Sequence, residues 1–64
     1  MTKELYDFAC LVYWMRQAEM EYQKLRYSPN FNKRGEAGEQ MRDLQRRVDA
    51  EIKEICQIYE EEYL

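Results

Sequence analysis

A single break divides this chain into two long amphipathic stretches. The break contains Ser28, Pro29 and Gly35. Pro29 has no backbone N–H and disfavours helical geometry in the residue before it, so a helix that reaches this point ends here. On both sides of the break, apolar residues recur at spacings of three and four, which is the period of an α-helix. The sequence therefore predicts an all-α fold in which one loop joins two helices.

We expect one domain over residues 1–64. Its parts are a helix at about 2–27, a loop at about 28–35 and a helix at about 36–62. Thr2 is the predicted N-cap of the first helix, because a threonine hydroxyl can accept a hydrogen bond from a free N–H of the first turn.

The start of the second helix is less sharply marked. Gly35 and Gly38 are weak helix formers, and Asn32 is an alternative, earlier cap. A loop of about eight residues predicts an antiparallel two-helix hairpin. We expect Phe31 to fold back and cover the loop end of that hairpin.

Each predicted helix carries an apolar stripe that would face the other helix. On the first helix the stripe consists of Leu5, Phe8, Leu11, Val12, Met15, Ala18, Tyr22 and Leu25. On the second helix it consists of Ala37, Met41, Leu44, Val48, Ile52, Ile55, Ile58 and Tyr59. A core of this size rarely gives independent stability without disulfides, a metal or a partner. We therefore expect the hairpin to be incomplete alone.

The first helix also carries apolar residues away from its core stripe. Heptad position f normally faces water, yet an aromatic residue or methionine stands there every seven residues, and a tryptophan also lies off the stripe. Contiguous exposed apolar residues mark contact surfaces, and C2 homodimers are the commonest oligomers. We expect two hairpins to dimerise into a coiled-coil-like four-helix bundle. The predicted partner interface comprises Tyr6, Tyr13, Trp14, Met20 and Tyr27.

Two alternatives remain open for this aromatic face. Tyrosines are amphipathic and can lie flat on a wet surface without any partner. The same face can also dock on a different protein, in which case the chain is a subunit of a hetero-complex. The sequence does not separate self-association from such docking.

Charge is sorted along the predicted hairpin. The net charge of the chain is −3. Residues 23–47 carry seven basic and three acidic side chains, a net charge of +4, whereas residues 1–22 carry −2 and residues 48–64 carry −5. Folding places +4 at the loop end and −7 at the end that holds the termini. This distribution favours an antiparallel dimer over a parallel one.

The basic loop end provides an alternative function, the binding of phosphate or nucleic acid. Acidic residues are interleaved with the basic ones, and the chain contains no recognised nucleic-acid-binding motif. A solvated basic end is the competing interpretation, and nucleic acid is the weaker candidate partner. The residues predicted for an anion contact are Lys33, Arg34, Arg46 and Arg47.

The composition argues against catalysis and against a bound metal. The chain has no histidine, so it lacks the usual general base and the commonest transition-metal ligand. Cys10 and Cys56 fit neither a close-spaced metal motif nor a disulfide framework, and we interpret them as free thiols of a reducing compartment. Gly35 and Gly38 lack the following residues of a phosphate-binding loop. We expect no enzyme activity, no metal and no cofactor.

The longest apolar run, residues 8–15, is too short to cross a bilayer, which needs about 20 residues. Glu4 and Asp7 disrupt the positive segment with which a signal peptide begins. We therefore expect a cytoplasmic protein with no membrane partner.

Two segments carry a resemblance to known proteins. They are residues 14–22, WMRQAEMEY, and residues 44–49, LQRRVD. They resemble a group of small uncharacterised helical-hairpin proteins of phages and mobile elements of gut bacteria. Those proteins tend to show Met-Arg with a Gln and a Tyr on the first helix and Val-Asp on the second, although Glu19 stands here in place of a Gln. The resemblance implies a helical hairpin of unknown activity and transfers no functional residues.

Overall fold

A computed structural model describes residues 2–64, which form two α-helices. Helix α1 covers Lys3–Leu25 and helix α2 covers Phe31–Tyr63. The helices pack against each other as an antiparallel hairpin, which confirms the predicted all-α fold. The hairpin is a rod of 51 × 21 × 12 Å. Helix α2 alone accounts for the long axis, since a helix of this length spans roughly 50 Å.

Side chains cap the N-termini of both helices. The Thr2 hydroxyl accepts a hydrogen bond from the backbone N–H of Leu5 at 3.2 Å, as the sequence predicts. Asn30 Oδ1 accepts one from the N–H of Lys33 at 3.1 Å and so begins α2. Each cap satisfies an N–H that has no partner inside its helix. The Ser28 hydroxyl accepts from the Asn30 N–H at 3.1 Å, so the turn is hydrogen-bonded before the helix begins.

The connection between the helices is shorter than the sequence predicts. Helix α1 ends at Leu25, and the connection covers residues 26–30 instead of the expected 28–35. Helix α2 starts five residues before the expected residue 36. Asn32 is therefore not the cap and lies within the first turn. The expected boundaries are wrong here because Asn30, directly after the proline, already satisfies the free end of the helix.

The structure also differs from the sequence prediction at the two glycines and at Phe31. Gly35 and Gly38 lie inside α2 and have no positive φ angle. Phe31 does not cover the loop end, because it is the first residue of α2 and is 78% exposed. The guanidinium carbon of Arg34, one turn along, lies 4.7 Å from the centre of its ring. The Phe31 ring therefore belongs to the surface of the hairpin.

The best-packed part of the molecule is the loop half, which we define as residues 15–48. Ala37, Gly38 and Val48 are buried there, and Val48 is only 4% exposed. Gly38 permits a close approach of the helices, since a Cβ at this position would lie 3.3 Å from Cε2 of Tyr22. The half-buried residues of the α1 stripe in this half are Met15, Ala18, Tyr22 and Leu25, and the half-buried Phe8, Leu11 and Val12 continue the stripe into the other half.

The open half, residues 3–14 and 49–63, has no comparable core. Every residue from 51 to 64 is exposed. Three isoleucines of the predicted stripe, Ile52, Ile55 and Ile58, are 44–48% exposed, so the second half of the stripe is not buried within the hairpin as expected. The reason is geometric, because a rod of two helices covers each helix on one side only.

Candidate functional site

The residues predicted for the partner interface lie on the surface of the hairpin. Their exposed fractions run from 48% for Met20 to 84% for Tyr27. The interface prediction requires this accessibility, and self-association itself stays a prediction. The five residues are Tyr6, Tyr13, Trp14, Met20 and Tyr27.

Tyr13 and Trp14 form the centre of this aromatic face of α1. Their ring centroids lie 5.5 Å apart and their planes meet at 75°. This edge-to-face arrangement is the one that the charge distribution of aromatic rings favours. Both side chains remain more than half exposed. Large aromatic side chains of this kind are typical anchors of protein interfaces.

The two ends of the aromatic face differ. Tyr27 lies beyond the end of α1 at Leu25, so the heptad position assigned to it does not apply. The guanidinium carbon of Arg26 lies 5.4 Å from the centre of the Tyr27 ring. Met20 borders a cleft of about 450 Å³ between the helices. The helical part of the face therefore extends from Tyr6 to Met20.

Tyr6 interacts with one of the two cysteines. Cys10 is half-buried on α1, Cys56 is exposed on α2, and both are free thiols. The pKa of the Tyr6 hydroxyl is raised above its ordinary value, chiefly by hydrogen bonding with the Cys10 side chain. The Tyr6 hydroxyl, whose ordinary pKa is already near 10, is therefore uncharged at physiological pH.

A second apolar region lies in the open half. Its cleft of about 370 Å³ is bordered by three glutamates and by apolar side chains from both helices. The sequence already indicates this exposed apolar region. Isoleucines spaced by three residues differ by about 60° in their direction around the helix axis, so together they form a stripe that is wider than one neighbouring helix covers. The apolar residues of this cleft are Leu5, Phe8, Ile55 and Ile58.

The structure does not bring together the four residues predicted for an anion contact. Arg46 and Arg47 both pair with Asp43, at N–O distances of 3.8 and 3.3 Å. Lys33 lines a cleft that also contains two glutamates. Of the four, Arg34 alone lines a cleft without acidic residues.

That cleft contains a second arginine, which the sequence analysis missed. Arg42 and Arg34 both line this cleft, whose volume is about 190 Å³. The omission follows from the misplaced start of α2. When the helix begins at Phe31, Arg34, Gly38 and Arg42 follow one another at spacings of four, so the two arginines lie on the same face of α2, two turns apart. The complete lining is Tyr22, Phe31, Arg34, Gly35, Gly38 and Arg42.

Within residues 2–64, one side-chain hydrogen bond joins the two helices. Gln45 Nε2 donates to Glu19 Oε2 at 3.0 Å. Arg16 forms an ion pair with the other carboxylate oxygen of Glu19, with an N–O distance of 3.5 Å. This polar contact fixes the register of the helices near the middle of the rod. We interpret it as a structural contact, so the candidate sites are the aromatic face of α1, the apolar cleft of the open half and the cleft lined by Arg34 and Arg42.

Among the residues that the structure describes, no three Cys, Asp or Glu side chains lie close enough to hold a metal ion. No helix in this part of the chain has the length and the apolar character needed to cross a membrane. Comparison with protein-family models, with curated proteins and with solved structures gives no match. The resemblance to phage and mobile-element proteins therefore stays an expectation, and the function is argued from the surface of the hairpin.

Proposed function

We propose that this chain is a small non-enzymatic interaction module, structural or regulatory, that self-associates as a homodimer. The contact is made by the aromatic face of α1, with Tyr13 and Trp14 at its centre. The observation that carries the proposal is the large exposed surface of the single hairpin.

A single hairpin exposes more surface than a compact monomer of its mass. Its accessible surface is 5727 Å² and its mass is 8.0 kDa, whereas monomers of this mass expose about 4,500 Å². Its radius of gyration is 15.2 Å, whereas a compact chain of this length has about 11 Å. The excess area, roughly 1,300 Å², is larger than the 800 Å² or so that one partner contributes to a standard interface. A second copy of the chain is sufficient to cover it.

The charge distribution favours a second copy in the antiparallel orientation. The loop end carries +4 and the end with the termini carries −7. In an antiparallel dimer each basic end lies beside an acidic one. The acidic end includes the three glutamates around the apolar cleft of the open half, namely Glu4, Glu51 and Glu54. Such complementarity selects an orientation more than it adds affinity. The result is a four-helix bundle with α1 at its centre.

Light scattering after size-exclusion chromatography tests the proposal. We expect the wild-type chain to elute at about twice its mass of 8.0 kDa. The double variant Tyr13→Glu/Trp14→Glu should be monomeric, because two carboxylates would be desolvated in the interface. As a matched control, Asn32→Glu/Ala50→Glu adds the same charge at exposed positions of α2 and should leave the mass unchanged.

Two results would contradict this function. A wild-type chain that is helical by circular dichroism and monomeric at high concentration would mean that the aromatic face is free in the isolated protein. Affinity capture with that face as bait would then test the alternative, a subunit that docks on a different protein. A double variant that stays dimeric would exclude the aromatic face of α1 and direct attention to the apolar cleft that contains Ile55 and Ile58.

A further inference from the structure

Two arginines share one small cleft in the loop half of the hairpin. Arg34 and Arg42 line this cleft together with Tyr22 and Gly38, and none of its six lining residues is acidic. The ion pairs among residues 2–64 involve other arginines of the chain. Two guanidinium groups that share a cleft without a carboxylate are suited to an anion, since arginine binds oxyanions through paired N–H groups.

Arg34 is held in place on one side of the cleft. Its Nη1 donates a hydrogen bond to the backbone carbonyl of Ser28 at 3.4 Å. Its guanidinium carbon also lies 4.7 Å from the centre of the Phe31 ring, a cation–π contact. These two contacts restrict the side chain before any ligand arrives. A positioned arginine loses less conformational entropy on binding than a free one.

Gly38 keeps the other side of the cleft open. A Cβ built at this position would lie 3.4 Å from Nη1 and 3.5 Å from Nη2 of Arg42. It would also lie 3.3 Å from Cε2 of Tyr22. The guanidinium group of Arg42 therefore lies directly over the space that a side chain would fill. Any larger residue at position 38 would narrow the cleft.

We propose that this cleft binds a phosphoryl anion, with Arg34 and Arg42 as its two cationic ligands. The volume of about 190 Å³ is about six times the ~30 Å³ that a water molecule occupies in the liquid, which gives room for one phosphoryl group. The phosphoryl group is either free, as in a small phosphate, or part of single-stranded nucleic acid. In the second case the exposed ring of Phe31 offers a surface on which a base can stack. This proposal does not depend on self-association.

A titration of the full chain with sodium pyrophosphate, followed by amide chemical shifts at constant ionic strength, tests the proposal. We expect saturable shifts at Gly35 and Gly38. Arg42→Gln should weaken binding about tenfold, the effect of losing one charged hydrogen bond. Arg46→Gln removes the same charge from an arginine that pairs with Asp43 and should change the affinity less than about twofold.

Gly38→Ala places a Cβ in the cleft and also 3.3 Å from Cε2 of Tyr22, so its free energy of unfolding in urea is measured beside its pyrophosphate affinity. Alanine is the better helix former, so the helix content by circular dichroism should be preserved while pyrophosphate binding weakens. The proposal is overturned if Arg42→Gln and Arg46→Gln weaken binding equally, since the effect would then be non-specific charge. It is also overturned if Gly38→Ala binds like the wild type, or if pyrophosphate causes no saturable shift at Gly35 and Gly38.

A short single-stranded oligothymidine identifies the source of the phosphoryl group. If it binds more tightly than pyrophosphate and loses affinity with Arg42→Gln, the cleft takes the backbone of single-stranded nucleic acid. A Phe31→Ala variant should then weaken the oligothymidine more than pyrophosphate, because it removes the stacking surface as well as the contact that positions Arg34. If the oligothymidine binds no more tightly than pyrophosphate, the cleft takes a small free phosphate.

Discussion

In the loop half of the hairpin, Val48 is almost completely buried, and Gly38 lets Tyr22 approach α2 closely. In the open half, Ile55 and Leu5 keep about half of their surface in contact with water. Both halves are built from the same two helices with the same apolar periodicity. They differ in the size of the side chains between the helices and in how wide the apolar stripe is.

Small residues explain why the loop half packs well. Ala37 and Gly38 bring the helices together, because the distance between packed helices depends on the side chains at their contact. In the open half, isoleucines at 52, 55 and 58 spread over a broad arc of α2 that one neighbouring helix does not cover. The contacts within one chain therefore bury residues of the loop half, whereas they leave the apolar residues of the open half largely exposed.

The largest effect is expected from Val48→Asp in the loop half. Val48 is 4% exposed, so the carboxylate would be buried without a partner. We expect the free energy of unfolding to fall by about 3 kcal/mol or more, enough to unfold a hairpin of this size. Urea unfolding followed by far-ultraviolet circular dichroism measures the loss.

The matched control is Ala50→Asp, two residues further along α2 at an exposed position. It introduces the same side chain and should cost less than about 1 kcal/mol, the difference in helix propensity. Equal losses for the two variants would show that the loop half is no better packed than the open half, and would break the comparison.

A second prediction concerns hydrogen exchange in the open half. In dilute protein, the amides of residues 51–63 should exchange faster than those of residues 37–48, because local opening is easier where few apolar contacts are buried. At a concentration 100 times the dissociation constant, dimerisation adds about 2.7 kcal/mol. Exchange of residues 51–63 should then slow by up to about 100-fold if the dimer covers them. Mass spectrometry of peptides from the two halves measures both rates.

The variant Tyr13→Glu/Trp14→Glu is the control for this experiment. Its exchange should be independent of concentration in both halves, because we expect this variant to stay monomeric. The prediction is contradicted if, in the wild type, residues 37–48 and 51–63 are equally protected from hydrogen exchange at every concentration. The open half would then not depend on a partner.

The sequence predicted the two helices, their antiparallel pairing and the Thr2 cap, because these follow from periodicity and from local hydrogen bonding. It did not predict where α2 begins. Two glycines suggested a late start, whereas Asn30 and the hydrogen bond from its N–H to Ser28 already complete the turn. At such a boundary, a capping residue favours an early start of the helix and a glycine disfavours it. The pattern of residues alone does not show which of the two effects is larger.

The candidate sites were predicted to a smaller extent. The exposure of Tyr13 and Trp14 followed from their heptad positions, which require only a regular helix. The placement of Arg34 and Arg42 in one cleft depends on where α2 begins. The ion pair between Arg46 and Asp43 depends on side-chain rotamers. Errors in a helix boundary therefore affect the basic cleft more than the aromatic face.

The smallest predicted effect tests the residue at which α2 begins. Asn30→Ala removes the side-chain oxygen that accepts from the Lys33 N–H, and should lower the free energy of unfolding by about 1 kcal/mol. Asn32→Ala, in the first turn of α2, should be neutral or slightly stabilising, since alanine is the better helix former. Urea unfolding of both variants measures the difference. A larger loss for Asn32→Ala would place the cap at residue 32, and a helix beginning there would no longer contain Phe31, whose ring borders the basic cleft.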